Sequence, residues 1–276
     1  MKFEVLISTM FKTDLSFLDN MFLNNNILDF DILVVNQTDN EKLLYSNKKN
    51  IRVTNSFERG TSNSRNLAIK NALGDICLFA DDDTIFESNF DKIITLEFNK
   101  YPEAYLLSFE ATSGEKKELH MNYPKKGIHT KNSLLKVHMI TMAFKKNKLK
   151  DSKVLFNKYF SLGGKFSGGT EYVFLRNAYA KGLNAYHIKK VIVHHVDDIS
   201  SGKKMESDQK IHTSAARANH FNGVVYSYFW LFKYLFFLIR NRLISIGDIT
   251  HKFKIGVKGI SEYNSLLKKG LITRQN

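Results

Sequence analysis

One stretch of the chain, followed at once by three acids, decides how the sequence is interpreted: Ile76-Cys77-Leu78-Phe79-Ala80-Asp81-Asp82-Asp83. Its apolar part is too short for a helix and nearly continuous, as expected of a strand covered on both faces. Adjacent carboxylates repel one another, and such hard oxygen ligands suit Mg²⁺ or Mn²⁺ completed by phosphate oxygens and water. Ligands of open α/β sheets collect at the carboxyl ends of strands, so the stretch predicts a buried strand with a site at its end. The alternative is a solvated acidic turn.

The chain on both sides of this stretch alternates short apolar runs with helical patterns, which is typical of βαβ units around a mostly parallel sheet. Strands are predicted at 5–9, 32–35, 51–54, 76–79, 105–109, 138–144 and 191–193. Helices are predicted at 15–23, 41–45, 62–73 (with Gly74 placed to end it), 90–99 and 170–181. A polar, lysine-rich excursion separates the two halves at 112–131, and everything beyond residue 201 is expected to be helical.

Composition excludes several classes of protein. The 276 residues include 43% hydrophobic and 13% aromatic side chains, enough for a large core, so disorder and collagen-like structure are excluded. The single Cys77 cannot form an intramolecular disulfide, and Glu4 stands where the apolar region of a secretory signal would begin. We therefore expect an unprocessed cytoplasmic protein.

The net charge of +14 comes from lysines dispersed as pairs along the chain. Nucleic-acid binders usually concentrate basic residues in a stripe, so we expect no nucleic-acid partner. An anionic membrane leaflet fits dispersed charge as well, and biased composition alone would also produce it.

A second signal precedes the acidic strand at the entrance of the 62–73 helix. Arg65 in the first turn can hold a phosphate through its paired N–H groups and the helix dipole. An exposed helical arginine is the alternative interpretation. Within the acidic triplet, alternation puts Asp81 and Asp83 on one side of the chain and makes Asp82 the less central of the three.

Together, the two signals resemble the nucleotide-sugar-binding half of the family 2 glycosyltransferases of GT-A fold. The matching pattern is Asn55-x₄-Gly60-x₃-Ser64-Arg65-Asn66-x-Ala68, then Gly74-Asp75-Ile76-x₂-Phe79-x-Asp81-x-Asp83. The resemblance implies a GT-A-like (Rossmann-like) domain over residues 1–200, with a donor half at 1–110 and an acceptor half at 111–200. A helical C-terminal region follows at 201–276.

The resemblance also implies roles for individual residues. Asp83 would be the carboxylate on a divalent metal, Mn²⁺ or Mg²⁺. The nucleotide-sugar set would be Thr9, Asn36, Gln37, Asn55, Arg65, Asp81 and Asp82. Where the family usually carries an acidic pair that meets the base, this chain has Asn36 and Gln37, whose amides can still pair with a pyrimidine edge.

In the second half, the segment Phe156-Asn157-x₂-Phe160-x₂-Gly163, followed by Gly168-Gly169-Thr170-Glu171, is similar to the place where the family keeps its catalytic acid pair. Thr170 occupies the first acidic position, so the resemblance assigns the general base to Glu171. An ordinary acid favoured by the helix dipole is the alternative. His195, after the last strand and before Ser200-Ser201, is the preferred histidine for the metal or diphosphate over His194, although a structural pair is equally open.

The C-terminal segment 224–239 is rich in aromatic residues but shorter than the roughly 20 residues of a bilayer span, and Lys233 lies in its middle. On a helix, Asn222, Lys233 and Arg240 fall on one stripe, which predicts an interfacial helix with residues 224–243 on a membrane surface. Packing on the enzyme or a homodimer contact are the alternatives.

The resemblance, taken with these residues, implies an inverting, metal-dependent glycosyltransferase. Its donor would be a nucleotide sugar, expected to be UDP-linked, and its acceptor a saccharide or lipid-linked oligosaccharide of bacterial surface polysaccharide synthesis. It would act at the inner face of the cytoplasmic membrane. A sugar nucleotidyltransferase, or a non-enzymatic basic protein that binds nucleic acid or membrane, would account for part of the same pattern.

Overall fold

A ten-stranded mixed sheet organises the computed structural model, which describes residues 1–195 and 204–274. The strands are β1 (Phe3–Met10), β2 (Asp31–Gln37), β3 (Ile51–Ser56), β4 (Ile76–Asp81), β5 (Thr84–Phe86), β6 (Leu106–Ser113), β7 (Glu118–Leu119), β8 (Gly127–Ile128), β9 (Met142–Lys145) and β10 (Ala185–His195). The helices are α1 (Phe17–Met21), α2 (Thr61–Asn71), α3 (Phe90–Lys100), α4 (Lys146–Ser152), α5 (Thr170–Ala180), α6 (Asp208–Arg240) and α7 (Ile249–Lys268).

The order of strands across the sheet is β3-β2-β1-β4-β9-β6-β10-β5, with β7 and β8 added to β6 and β10. The first four strands are mutually parallel, and β6 runs parallel to β10. The inserted β9 is antiparallel to both of its neighbours, and β5 is antiparallel to β10. The carboxyl ends of β1 and β4 therefore meet at one edge of the sheet, where the predicted site begins.

The expected α/β fold with a helical C-terminal extension is confirmed. Val5, Leu6 and Ile7 of β1 and the apolar residues of β4 are buried, Cys77 among them, as a strand covered on both faces requires. The strand expected at 138–144 begins only at Met142, because a short 3₁₀ turn occupies Met139–Thr141.

The prediction of a helix at 41–45 was wrong, because these residues form a loop. Side chains on two neighbouring strands hydrogen-bond to its backbone. Asn55 donates from Nδ2 to the Leu44 carbonyl and accepts the Leu44 N–H, and Asn36 donates to the Lys42 carbonyl. Backbone groups engaged in this way are not available for helical hydrogen bonds.

Gly74 has a different role from the predicted one. Helix α2 ends at Asn71 with Ala72 in an extended conformation, before Gly74 is reached. At Gly74 an added Cβ would lie 2.6 Å from the Cβ of Glu4, so only glycine fits. The Glu4 carboxylate is buried and satisfied, because it accepts the Gly74 N–H at 2.8 Å and pairs with Arg52 at 2.6 Å.

The chain divides into two compact units. The first comprises Met1–Phe156 with Phe174–Ile199, and the second comprises Asn157–Val173 with Ser200–Asn276. The segment that precedes and begins α5 thus groups with the C-terminal helices. The boundary expected at residues 200 and 201, together with Ser200 and Ser201, lies outside the described residues.

In the second unit, α7 packs along α6 at very close range. An added side chain at Gly256 would overlap Leu231, and one at Gly259 would overlap the backbone of His212. Helix α6 is long and apolar enough to cross a membrane on length and composition alone. Gly223, with φ 85° and ψ 171°, interrupts its helical geometry and leaves 224–240 as a separate helical segment.

Candidate active site

Each of the three consecutive aspartates is held by a different partner. Asp81 ends β4, and its Oδ1 accepts from Arg65 Nη2 on α2 at 3.3 Å. Asp82 turns toward β1, where its Oδ2 accepts from Thr9 Oγ1 at 2.6 Å and lies 3.0 Å from Lys12 Nζ. Because two cations and a hydroxyl offset the charge of these carboxylates, the acidic triplet is a built feature and not a loose solvated turn.

The third carboxylate, Asp83, faces His195. Their Oδ2 and Nε2 atoms lie 3.1 Å apart. The sheet explains the contact, because β5 pairs antiparallel with β10 and sets Thr84 opposite His195. Asp83 keeps a side-chain exposure of 50%, whereas the His195 side chain is 12% exposed. The hydrogen bond from His195 lowers the pKa of the Asp83 carboxyl, so it is ionised and open to solvent at neutral pH.

His194 has a separate environment. Its Nδ1 lies 3.0 Å from the hydroxyl of Thr112 on β6, and its side chain is buried. Burial lowers the pKa of His194, which keeps it neutral. Of the adjacent pair, His195 is therefore the residue that reaches the acidic triplet.

Two further histidines that the sequence did not single out lie beside this pair. The rings of His120 and His138 are 4.8 Å apart, and those of His120 and His195 are 6.4 Å apart. The positive charge that His138 can carry also favours the ionised form of Asp83. These residues follow β7 and precede β9, so strand order alone brings them to the site, and no local pattern could have indicated them.

The amides expected to meet the base are engaged within the protein. Asn36 is fully buried; it donates to the Lys12 carbonyl at 3.0 Å and to Asn55 Oδ1 at 3.1 Å, and it accepts from the Lys12 N–H at 3.1 Å. Asn55 in turn holds the loop at Leu44. Asn36 and Asn55 thus shape the loops beyond β1 and β2.

The side chain of Gln37 is also hydrogen-bonded within the protein. Its Oε1 accepts the N–H of Gly60 at 2.8 Å, where the backbone enters α2 with φ 113°. A residue with a Cβ adopts that φ only with strain, so Gly60 and Gln37 together fix the start of the helix that carries Arg65. The N-cap residue of this helix is Gly60 itself.

Asp83 and His195 fit a divalent cation that is bound by few protein ligands. Within residues 1–195 and 204–274, no group of three or more His, Cys, Asp or Glu side chains is arranged to hold a metal ion. Mg²⁺ and related ions often take only one or two protein carboxylates, with substrate phosphates and water completing the shell. The half-exposed Asp83 carboxylate matches that donor set, and the His195 nitrogen 3.1 Å away would be an additional ligand.

Glu171 lies in the second unit, in the first turn of α5. The turn before it uses Gly168 and Gly169 at φ 109° and 74°, which other residues adopt only with strain. Burial lowers the pKa of Lys210, and the Glu171 carboxylate opposes that shift, so the two side chains share one electrostatic environment. Arg217 stacks over the Tyr172 ring at 4.8 Å next to this turn. Glu171 is therefore a half-buried acid among cations.

Comparison with known proteins gives a family and a fold. A family model described as Glycosyl transferase family 2 matches residues 18–166, more than half of the chain. No curated protein sequence matches the chain.

Solved structures of S. aureus TarS are similar in fold. One matches with a TM-score of 0.53 and 17% identity over 79% of this chain, which spans only 40% of that TarS chain. TarS 1–349 matches with a TM-score of 0.59 and 15% identity, over 99% of this chain and 83% of TarS 1–349. TarS 1–349 in complex with UDP-GlcNAc matches with a TM-score of 0.57 and 14% identity, over 99% and 93%.

Proposed function

The chain belongs to glycosyltransferase family 2, and from that premise we propose that it transfers a sugar from a UDP-sugar to a saccharide acceptor with inversion at the anomeric carbon. The observation that carries the proposal is the clustering of Asp81, Asp82 and Asp83 with Arg65 and His195 at the carboxyl ends of β4 and β10. The uridine base is inferred from TarS, whose similar fold has been solved in complex with UDP and with UDP-GlcNAc.

The proposed donor site offsets the negative charge of the diphosphate with positive groups. Arg65 is buried and its guanidinium is held by Asp81, which fixes a positive group where the diphosphate is proposed to bind. Asp83 and His195 are the residues that would hold Mn²⁺ or Mg²⁺ there. When bound, such an ion would stabilise the negative charge of the departing nucleoside diphosphate.

We assign the general base to Glu171. In the inverting reaction, its carboxylate takes the proton of the acceptor hydroxyl while that oxygen attacks the anomeric carbon of the donor. The bond from this carbon to the diphosphate oxygen breaks, and the electron pair leaves with the nucleoside diphosphate.

The acceptor is proposed to be lipid-linked, and the enzyme to lie on the inner face of the cytoplasmic membrane through residues 224–243. The support comes from α6, whose two faces differ in environment. Ser227, Leu231, Leu235 and Leu238 are buried, and the opposite face exposes large apolar side chains at helical spacing: Val225, Phe229, Phe232 and Phe236.

Basic residues accompany the exposed apolar face. Lys233 and Arg240 fall beside Phe229 and Phe236 at 3.6 residues per turn, and both are exposed. An aromatic face with interspersed cations suits the boundary between headgroups and acyl chains of an anionic leaflet. The long side chains of Lys233 and Arg240 can extend toward headgroups while the rings remain in apolar surroundings.

A ligand panel tests the proposed donor. Thermal unfolding is measured with UDP, UDP-GlcNAc, other uridine-linked sugars, GDP, CTP and no ligand, each with Mn²⁺ and with a chelator. UDP and at least one UDP-sugar should raise the Tm, because a ligand that binds only the folded state stabilises it. The uridine assignment fails if GDP or CTP stabilises the protein and UDP does not. Diphosphate release from a sugar phosphate and a nucleoside triphosphate would instead establish a nucleotidyltransferase.

A further inference from the structure

A second, separate groove lies in the first unit, on the far side of α2 from the acidic triplet. It is an open groove of about 1010 Å³, bounded by the residues after β3, by α2, and by α4 with the segment that follows it. Arg65 points to Asp81, whereas Asn63, Asn66, Leu67 and Lys70 line the groove from positions about half a turn away on the helix. The groove therefore opens on the side of α2 away from the acidic triplet; of the expected nucleotide-sugar residues, Asn55 lies on its wall.

The walls of the groove are tied together. Asn66 accepts the N–H of Phe156 at 2.8 Å and donates to its carbonyl at 2.9 Å, which fastens the segment after α4 to α2. The Phe156 ring stacks on Phe174 with centroids 4.1 Å apart. Lys181 donates to the carbonyl of Ser152 at 2.6 Å and fixes the end of α4. These contacts make the groove a preformed feature.

The charge of the groove is strongly positive. Four lysines line it against a single carboxylate, Glu58: Lys70, Lys146, Lys150 and Lys153. Within the described part of the chain, none of these four lysines has a carboxylate oxygen within 4 Å. Elsewhere the protein does pair lysines with acids, as at Lys12 and Lys252. The uncompensated charge selects an anionic ligand.

The floor and rim of the groove are apolar. Leu149 and Val154 are buried at its floor, and Phe57 and Leu155 stand at its rim with exposures of 62% and 54%. A bare polyanion would leave this apolar surface in contact with water. A ligand with both an anionic head and an apolar chain would cover it and gain the free energy of apolar burial.

We propose that this groove binds the phosphate head and the first part of the apolar chain of a lipid phosphate. The lysines meet the phosphate, and the exposed Phe57 and Leu155 at the rim contact the chain. The role of this site in the reaction rests on the proposed function, in which a lipid phosphate carries the acceptor sugar. The binding of a lipid phosphate to the groove does not depend on that function. A nucleic acid, which offers phosphate without an aliphatic chain, is the competing occupant.

The test measures binding of farnesyl phosphate, below its aggregation concentration, to the full chain by calorimetry. Farnesol, inorganic phosphate and a single-stranded oligonucleotide are compared under the same conditions. Farnesyl phosphate should bind more tightly than farnesol, which lacks the phosphate, and than inorganic phosphate, which lacks the apolar chain. The variant Lys70→Gln/Lys146→Gln/Lys150→Gln should weaken it by about tenfold, since three charge contacts are lost. Leu155→Ser should weaken the binding of farnesyl phosphate and leave the binding of inorganic phosphate unchanged.

The matched control is Lys48→Gln/Lys49→Gln/Lys131→Gln, which removes the same charge from exposed positions outside the groove and should bind as wild type does. The proposal is overturned if both triple variants bind equally, if inorganic phosphate or the oligonucleotide binds as tightly as farnesyl phosphate, or if UDP displaces farnesyl phosphate competitively. If farnesyl phosphate binds in the groove but the protein transfers no sugar, the lipid-phosphate site is supported and the proposed function is rejected. UDP binding in the triple variant verifies that the fold is intact.

Discussion

His195 Nε2 lies 3.1 Å from Asp83 Oδ2, and this contact joins the strand that ends the first half of the sheet to the last strand of the second half. The residues are 112 positions apart in the chain, and the antiparallel pairing of Thr84 with His195 brings them together. The candidate site thus depends on the correct closure of the whole sheet. Contacts of such long sequence separation form late and are specified by topology, not by local sequence.

Replacement of Asp83 by Asn should abolish transfer and remove the dependence of nucleotide binding on Mn²⁺. The substitution keeps the shape of the side chain but deletes the exposed charge that would meet the cation. We expect a folded protein whose turnover falls by a factor on the order of 10² or more. Turnover is measured over a range of Mn²⁺ concentrations, with folding verified by circular dichroism.

The control for this variant is Asp151→Asn, which removes an exposed acid at the end of α4. It should leave turnover and its metal dependence unchanged. Metal-dependent turnover near the wild-type rate in the Asp83 variant would show that the acidic triplet is not the metal site.

Replacement of His195 by Gln should raise the Mn²⁺ concentration needed for half-maximal activity by roughly 10- to 100-fold. The imidazole orients Asp83 and is itself a candidate ligand, whereas Gln offers only a weak carbonyl in its place. His251→Gln removes an exposed histidine and should change nothing. An unchanged metal requirement in the His195 variant would make the Asp83 contact purely structural.

Replacement of Glu171 by Gln should reduce turnover on the order of 10²-fold or more, the usual contribution of a positioned base, while UDP binding stays within a factor of about two. Turnover is measured at saturating donor, and UDP affinity by calorimetry. Glu118→Gln, an exposed acid in β7, is the matched control. An equal loss of nucleotide affinity and rate would put Glu171 in the donor site instead.

The first half of the fold was predictable because its strands are short, continuous apolar runs and its helices have clear periodicity. Strands β1 to β4 and helices α2 and α3 lie where the pattern predicted them. The loop at 41–45 could not be predicted, because remote amides of Asn36 and Asn55 determine its backbone conformation. The hydrogen bonds of the same two residues support this loop, and their contact with the nucleotide sugar stays a prediction.

The candidate site was predictable only in part, for a related reason. Asp81 and Asp83 follow a strand and could be found from one local signal. Lys12, His120 and His138 belong to loops with no pattern of their own, and only the order of strands β4-β9-β6-β10 brings His138 and His195 near Asp83. The roles of Asp83, His195 and Glu171 are tested by the variants above, and those of the donor residues remain predictions.

Acid should destabilise the protein through a buried network in the sheet. Ser108 Oγ lies 2.8 Å from His129 Nε2 and 3.0 Å from His187 Nδ1, and burial lowers the pKa of both histidines to about 4. Their ordinary pKa is about 6.5, so between these values the unfolded chain binds protons that the folded protein does not. Stability is therefore full above about pH 6.5 and is lost as pH falls toward 4, by on the order of 3 kcal/mol for each histidine.

Urea unfolding at pH 7.5, 5.5 and 4.5 measures this loss. His129→Gln keeps hydrogen-bonding groups beside Ser108 and Ser133 but cannot titrate, so its stability should fall less steeply with pH than that of wild type. His251→Gln removes an exposed histidine that pairs with Asp208 outside this network, so it should not reduce the acid sensitivity as His129→Gln does. Parallel curves for His129→Gln and wild type would assign the acid sensitivity to other groups.

Membrane binding is tested best by substitution and not by truncation. Removing the chain after Asn222 would delete α7 and the second part of α6 together, and so uncover Ile211 and Ala215, which are buried in one cluster with Leu231, Leu235, Leu238 and Ile260. The variant Phe229→Ser/Phe232→Ser/Phe236→Ser alters only side chains that are 60% to 70% exposed, so the fold should persist.

Wild-type protein should cosediment with anionic vesicles, and this variant should not. Salt should weaken wild-type binding only in part, because Lys233 and Arg240 contribute electrostatic attraction while the rings contribute apolar burial. The control Leu23→Ser/Leu28→Ser/Tyr45→Ser removes side chains that are 68% to 70% exposed in the first unit, and it should bind vesicles as wild type does. If the α6 variant instead converts a dimer to a monomer without changing vesicle binding, the aromatic face is an interface between two copies of the chain.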